Sequence, residues 1–181
     1  MRENHLSKFS KLIRLFFEYS RRREITLNEE ILLLNHYLEI EKMRFEDKLS
    51  FEIMVVTIMD IEDYKIPTMI LQPIVENAVN HGIFHKISNG NILIEFKELQ
   101  NKNAYSVLIQ DDGIGINKAK GIYKNASKNY QSKSSVVLAE RLAMLQQSSD
   151  WNITYSIKDL GDSATKTGTE VLLTFQKQSY D

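Results

Sequence analysis

Hydrophobic positions along the chain follow two rhythms, helical up to about Arg44 and alternating from Leu49 onward. Leu6, Phe9, Ile13, Phe16 and Phe17 recur at three- and four-residue spacings between Lys8, Lys11, Arg14 and Glu18. This predicts a first amphipathic helix with an apolar stripe that something must cover. Arg21-Arg22-Arg23-Glu24 then punctuates the chain and reads as a solvated turn. Thr26-Leu27-Asn28-Glu29 has the form of a capping box, opening a second helix that runs to about Arg44. Ile31, Leu34, Tyr37, Leu38 and Ile40 make its apolar face, with Glu29, Glu30, Glu39, Glu41 and Lys42 around it. Two consecutive amphipathic helices suggest a hairpin or an oligomeric bundle.

From Leu49 to Val56 the pattern partly alternates and is rich in β-formers, so a strand opens the second region. The apolar run Met69 to Val79 follows Pro67 and predicts a helix that becomes regular after Pro73. Asn91 to Lys97 and Ala104 to Gln110 form two strands around the polar turn Gln100-Asn101-Lys102-Asn103, a hairpin signature. Residues 117–134 are polar and unpatterned, as in a mobile loop, and Val136 to Gln147 is a helix candidate. Asn152 to Ile157 and Glu170 to Phe175 are two further strands, joined by a turn containing Gly161 and Gly168. Phe9, Phe16, Phe51, Met54 and Trp151 are read as core or interface.

A chain of 181 residues suits one main core with an accessory element. Its 23 Lys and Arg against 24 Asp and Glu give nothing that draws nucleic acid or an anionic membrane. The absence of cysteine removes disulfide frameworks and thiolate metal sites. The start leads into an amphipathic segment rather than an apolar leader, and no run of about 18 apolar residues occurs, so the chain as given is expected to be soluble.

Two segments carry candidate chemistry. Leu71-Gln72-Pro73-Ile74-Val75-Glu76-Asn77-Ala78-Val79-Asn80-His81-Gly82 places a carboxylate, two carboxamides and an imidazole within about two helical turns of an otherwise apolar run. Buried carboxamides need partners, and this set suits metal and phosphate. About thirty residues on, an apolar strand ends in Asp111-Asp112-Gly113-Ile114-Gly115, where paired glycines let backbone approach a planar ligand. Taken alone, the second segment also fits a plain turn, and Asn77 and Asn80 fit ordinary polar positions; the ordered pair points to a nucleotide pocket. His85 reads as a surface residue.

These residues resemble the LytS-type sensor histidine kinases, whose catalytic domain belongs to the ATPase group that also holds gyrase and MutL. Leu6 to Arg14 is similar to the second helix of the family's dimerisation region. Leu27, Glu29, Glu30, Tyr37, Leu38, Glu41, Arg44 and Phe45 match the stretch that follows it. Ile66-Pro67, Ile70 to Pro73 and Val75 to Ala78 match its N box, Asp111 to Gly115 its first glycine box, and Gly168-Thr169-Glu170-Val171 its closing one. The resemblance implies an α+β fold: a two-layer α/β sandwich of the Bergerat ATPase type, with helices on one face of a mixed sheet, preceded by an N-terminal helical hairpin. Residues 1–46 would be a dimerisation remnant with its connecting helix, and residues 47–181 the ATP-binding catalytic domain.

The same resemblance implies ATP and Mg2+ as ligands. Asn77 would hold the magnesium ion and Glu76 a water of its shell, and both are the expected catalytic residues. A carboxamide oxygen is a hard neutral ligand suited to that ion. Asn80 and His81 would line the phosphate end. Asp111 would accept a hydrogen bond from the exocyclic amine of adenine, Gly113 and Gly115 would let the loop approach the base, and Thr169 would support the adenine side. The implied partners are a second copy of the parent protein and a response regulator. The implied location is a cytoplasmic domain of a protein anchored in the inner membrane through an upstream part.

The chain departs from the family twice. The phosphoacceptor histidine lies in an Asn-Pro-His-Phe context, and neither Pro67 nor Pro73 precedes a histidine, while His5, His36, His81 and His85 stand in other contexts. The chain is therefore expected to be a fragment or variant that does not phosphorylate itself alone. In the lid, Glu140-Arg141-Leu142 survive, but Ser132 to Leu138 contain no glycine; Lys133 and Ser134 would offer charge, amide and hydroxyl to phosphates. Two other readings follow. An ATP hydrolase of the same group would carry a glutamate where this chain has Pro73. A pseudokinase or dimerisation module would use the helices and leave the lid unused.

Overall fold

A computed structural model of the chain describes residues 2–46, 48–56, 59–86, 88–100, 103–119, 140, 142–144, 150–162 and 166–178. Helix α1 (Arg2–Ser20) is followed by a short strand β1 (Glu24–Thr26) and helix α2 (Leu27–Arg44). Strands β2 (Leu49–Val55) and β3 (Lys65–Pro67) precede helix α3 (Gln72–Asn77), which passes into a π-helical turn at Ala78–Ile83. Strands β4 (Gly90–Glu98), β5 (Ala104–Asp111), β6 (Trp151–Asp159) and β7 (Thr169–Lys177) complete the order.

The capping box forms as the sequence predicts. Glu29 N–H donates to Thr26 Oγ1 at 3.1 Å, and Thr26 N–H donates to Glu29 Oε2 at 2.8 Å. Arg22 adds a two-pronged ion pair to the same carboxylate, which draws the arginine turn onto the start of α2. The two helices run as an antiparallel hairpin: Lys8, near the start of α1, pairs with Glu39, near the end of α2, at 3.0 Å.

The first helix buries a different side from the one its periodicity suggests. Leu12 and Tyr19 enter the core, whereas Leu6, Phe9, Ile13 and Phe17 are 69, 51, 39 and 67% exposed. On α2 the supposed surrounding carboxylates divide. Glu30 and Glu41 are buried and Glu29 and Glu39 are not, because α2 is packed from two sides, by α1 and by β1 to β3 with the sheet behind them.

The main sheet has the order β2-β4-β5-β7-β6, with β2 and β4 parallel and the other pairs antiparallel. Register turns the alternating pattern into rows across one face: Ile53, Ile94, Ile109 and Val171 align, as do Val55, Phe96, Val107 and Leu173. Ile94, Phe96, Val107, Ile109, Leu173 and Phe175 are almost wholly buried there, with Leu33, Leu34, Leu38, Ile70, Leu71, Ile74, Val75 and Val79 in the same core. Each such side chain contributes about 1.5–3 kcal/mol of burial. A two-layer α+β sandwich results.

Strands β1 and β3 form a second, two-stranded sheet that periodicity does not reveal, since three-residue strands leave too short a pattern to detect. Glu24 of β1 is held from the far edge of the main sheet by Trp151 Nε1 at 3.0 Å and Lys177 Nζ at 2.6 Å. The amino-terminal segment and the sheet are thereby joined.

Candidate functional site

Pro73 stands in the first turn of α3, where its fixed φ suits a helix start and its missing N–H costs nothing. The sequence predicts a regular helix after it; instead the turn widens at Ala78, and Phe84 N–H donates five residues back to Val79 O at 2.9 Å. Such π turns recur at functional sites. Ile74, Val75, Ala78 and Val79 anchor this segment in the core, leaving Glu76 and Asn77 half-buried and Asn80 exposed.

Two carboxamide oxygens are held ready here. Asn77 Oδ1 and Gln72 Oε1 are buried and have no hydrogen-bond donor among the described residues. Leaving such an atom unmet costs about 1–3 kcal/mol, so both positions fit a ligand or ion that supplies the missing partner. Gln72 Nε2 donates to Glu76 Oε1 at 3.1 Å, orienting the carboxylate one turn from Asn77. Burial raises the Glu41 carboxyl, nearby Arg44 lowers it and Glu76 raises it again. Burial also raises the Tyr37 phenol, with Glu41 and Glu76 adding to the effect. Glu76 thus stands close enough at this end to raise Glu41, with Arg44 beside Glu41.

Asp111 ends β5 directly opposite Thr169 of β7. Its side chain is 4% exposed, and burial pushes its carboxyl up to about 6 against the stabilising hydrogen bonds from Gly113 N–H and from the N–H and hydroxyl of Thr169. The bond from Gly113 is 2.9 Å long. A buried carboxylate held by three donors is a fixed acceptor for a further donor such as an aryl amine.

Glycine lets the two motifs meet. A Cβ on Gly113 would stand 2.3 Å from the backbone of Gly82, and one on Gly82 would stand 2.6 Å from Asp111 Oδ1. Ile114 N–H donates to Gly82 O at 3.2 Å. The helix bearing Asn77 and Asn80 is thus pressed against the Asp111 turn through Gly82. Gly115 turns in the left-handed region at φ +81°, and the turn is clasped by Asp159, which accepts from Asn117 N–H at 2.8 Å and Gly161 N–H at 2.9 Å. Asp112 faces outward to Lys86 Nζ at 2.8 Å and accepts from Asn91 N–H at 2.7 Å. Beside this turn lies an open pocket of about 410 Å³, lined by His85, Lys86, Ser88, Gly113, Ile114, Lys118 and Thr167.

Of the residues singled out from sequence, Asp111, Gly113 and Thr169 share one hydrogen-bonded cluster. Glu76, Asn77 and Asn80 share one helical segment. Lys133 and Ser134 lie outside the described residues, as do the side chain of His81, most of the loop at 117–134 and most of the helix at 136–147. Sequence reasoning gave no role to Gly82, Gln72, Glu41, Arg44 or Asp159. The His-Gly pair at the end of the first motif was the available signal for Gly82, while Asp159 had none.

A family model described as histidine kinase matches residues 2–49. Protein YwpD of Bacillus subtilis is 36% identical over 119 residues, covering 64% of this chain and 40% of its own length. Sensor protein LytS of Streptococcus agalactiae is 34% identical over 113 residues, covering 61% of this chain and 18% of its own length. The chain therefore spans less than half the length of these curated relatives. The solved catalytic domain of histidine kinase ThkA superposes with a TM-score of 0.55 at 16% identity, covering 86% of this chain and 97% of that one. The helical segment is similar to histidine kinases, the relatives that match the chain include sensor histidine kinases, and the fold is that of a histidine kinase catalytic domain.

Proposed function

We propose that the chain is the ATP-binding catalytic domain of a two-component sensor histidine kinase, supplying the γ-phosphoryl group to a histidine of its parent protein outside this stretch. One observation carries the reading: Gly82 joins the helix with the Asn77 oxygen, which has no donor among the described residues, to the turn with the buried Asp111 carboxylate. Asp111 accepts the exocyclic amine of adenine and selects it over guanine, supported by Thr169. Gly113 and Gly115 admit the base edge to the backbone. Asn77 holds magnesium directly and Glu76 through a water, while Asn80, His81, Lys133 and Ser134 attend the phosphates. Magnesium, when bound, neutralises phosphate charge; the protein's share of phosphoryl transfer is positioning and electrostatics.

In this proposal residues 1–46 are the dimerisation and connecting part and residues 47–181 the catalytic part. The exposed Leu6, Phe9, Ile13 and Phe17 of α1 then meet a second copy of the parent. The solved complex of ThkA with response regulator protein TrrA supports a response regulator as the downstream partner. No helix among the described residues is long and apolar enough to cross a membrane. Anchoring of a cytoplasmic catalytic domain would fall to another part of the parent.

Thermal unfolding with and without Mg-ATP tests the reading, because a ligand specific for the folded state raises the midpoint by mass action, about 2.7 kcal/mol at a hundredfold excess over Kd. No shift at millimolar nucleotide would overturn it. Transfer is checked by supplying γ-labelled ATP together with a separate parental segment carrying the acceptor histidine, which should gain an acid-labile phosphate.

A further inference from the structure

Arg44 belongs to the pattern matched along α2, yet the nucleotide reading gives it no task. Its guanidinium, on the last turn of α2, is half exposed and divides its donors. Nη1 faces Glu41 Oε2 at 3.0 Å, and Nη2 donates to Asn80 Oδ1 at 3.4 Å. The group also lies over the ring of Phe45, 5.0 Å from its centroid. Glu41 is 7% exposed, so the guanidinium is backed by a nearly buried carboxylate and flanked by an aromatic face.

The contact with Asn80 is directional. A guanidinium has no acceptor, so it holds only the oxygen of a carboxamide. The amide –NH2 of Asn80 is left on the other side as a donor pair, the arrangement an anion requires. Asn77, three residues earlier, keeps a buried oxygen without a donor among the described residues, the arrangement a cation requires. The two carboxamides of the helix are thereby given opposite tasks, and α2 sets one of them.

We propose that Arg44 is a positioning residue for the nucleotide phosphates: it acts through Asn80, fixing that carboxamide as a donor, and so makes phosphate binding depend on where the end of α2 stands. The proposal rests on the nucleotide reading of the site and extends it to the helical segment. A displacement of α2 against α3 would turn Asn80 and change ATP affinity.

The test is titration calorimetry of the full chain with Mg-ATP for wild type, Arg44→Ala, Asn80→Ala and the double variant. Each single change should weaken binding roughly tenfold, the scale of one hydrogen bond to a charged group. The double variant should bind no more weakly than Asn80→Ala. Arg44→Lys, which keeps the charge without the fork, should recover part of the affinity. The unfolding midpoint without nucleotide should stay close to wild type in Asn80→Ala and fall in Arg44→Ala, which leaves the nearly buried Glu41 without its cation. Undiminished affinity in Arg44→Ala overturns the proposal and leaves the nucleotide reading standing. Multiplying losses overturn it too, since they mean the cation acts independently of Asn80. A wild-type chain that does not bind Mg-ATP removes both. Should Arg44→Ala not fold, Arg44→Lys in the Asn80→Ala background completes the same cycle.

Discussion

Gly82 and Asp111 stand so close that a single methyl on the glycine would lie 2.6 Å from the aspartate oxygen. The two residues come from the two separate motifs, and their contact fixes the distance between the helix and the glycine turn. Gly82→Ala should therefore force the carboxylate or the π turn to move. The expected cost is about 1–3 kcal/mol of stability, the range for overpacking a filled site, with a loss of ATP affinity of more than tenfold. Urea unfolding and calorimetry on the same variant would check both.

Asp111 should make stability and ATP binding run in opposite directions with pH. Its folded-state carboxyl is raised from 3.8 to about 6, so the folded chain holds that proton more tightly than the unfolded chain. Stability from this group is greatest at low pH and is lost as pH rises from about 4 to about 6, by up to about 3 kcal/mol. ATP affinity should instead rise through the same interval as the carboxylate forms. Asp111→Asn should flatten the stability difference, measured as unfolding free energy at pH 4.5 and 7.5 relative to wild type. Asp111→Ala should lose preference for ATP over GTP in competition.

Thr26→Ala removes the hydroxyl that caps α2, while Glu29 keeps its contact with Arg22. A loss of about 1 kcal/mol is expected in urea unfolding, with no change in nucleotide affinity beyond that following from stability.

Phe9 and Phe17 lie on the uncovered side of α1, at 51 and 67% exposure. If this side meets a second copy, Phe9→Glu with Phe17→Glu should shift a concentration-dependent dimer to monomer in sedimentation equilibrium and leave the unfolding midpoint of the monomer unchanged. A wild-type chain that is monomeric at all concentrations would contradict this assignment.

Much of the fold is legible in the sequence where local signals and packing agree. The Thr26 cap, the β4–β5 hairpin and the alternation that puts Ile94, Ile109 and Val171 in one row are examples. What escapes depends on contacts between distant segments. Glu30 and Glu41 look peripheral on a helical wheel and are buried because α2 is packed from two sides. The buried side of α1 is set by Leu12 and Tyr19, while its more conspicuous stripe stays open. Of the site, Asn77 and Asp111 stand out as polar residues in apolar settings. Gly82, Arg44 and Asp159 acquire meaning only from what the fold brings beside them.

The most direct measurement is calorimetric titration of wild type and Asn77→Ala with ATP, each in magnesium and in chelator. Wild type should bind tightly only with magnesium, and Asn77→Ala should lose that magnesium-dependent gain. Equal affinity of the two proteins for Mg-ATP would contradict the assignment of Asn77 and, with it, the nucleotide site.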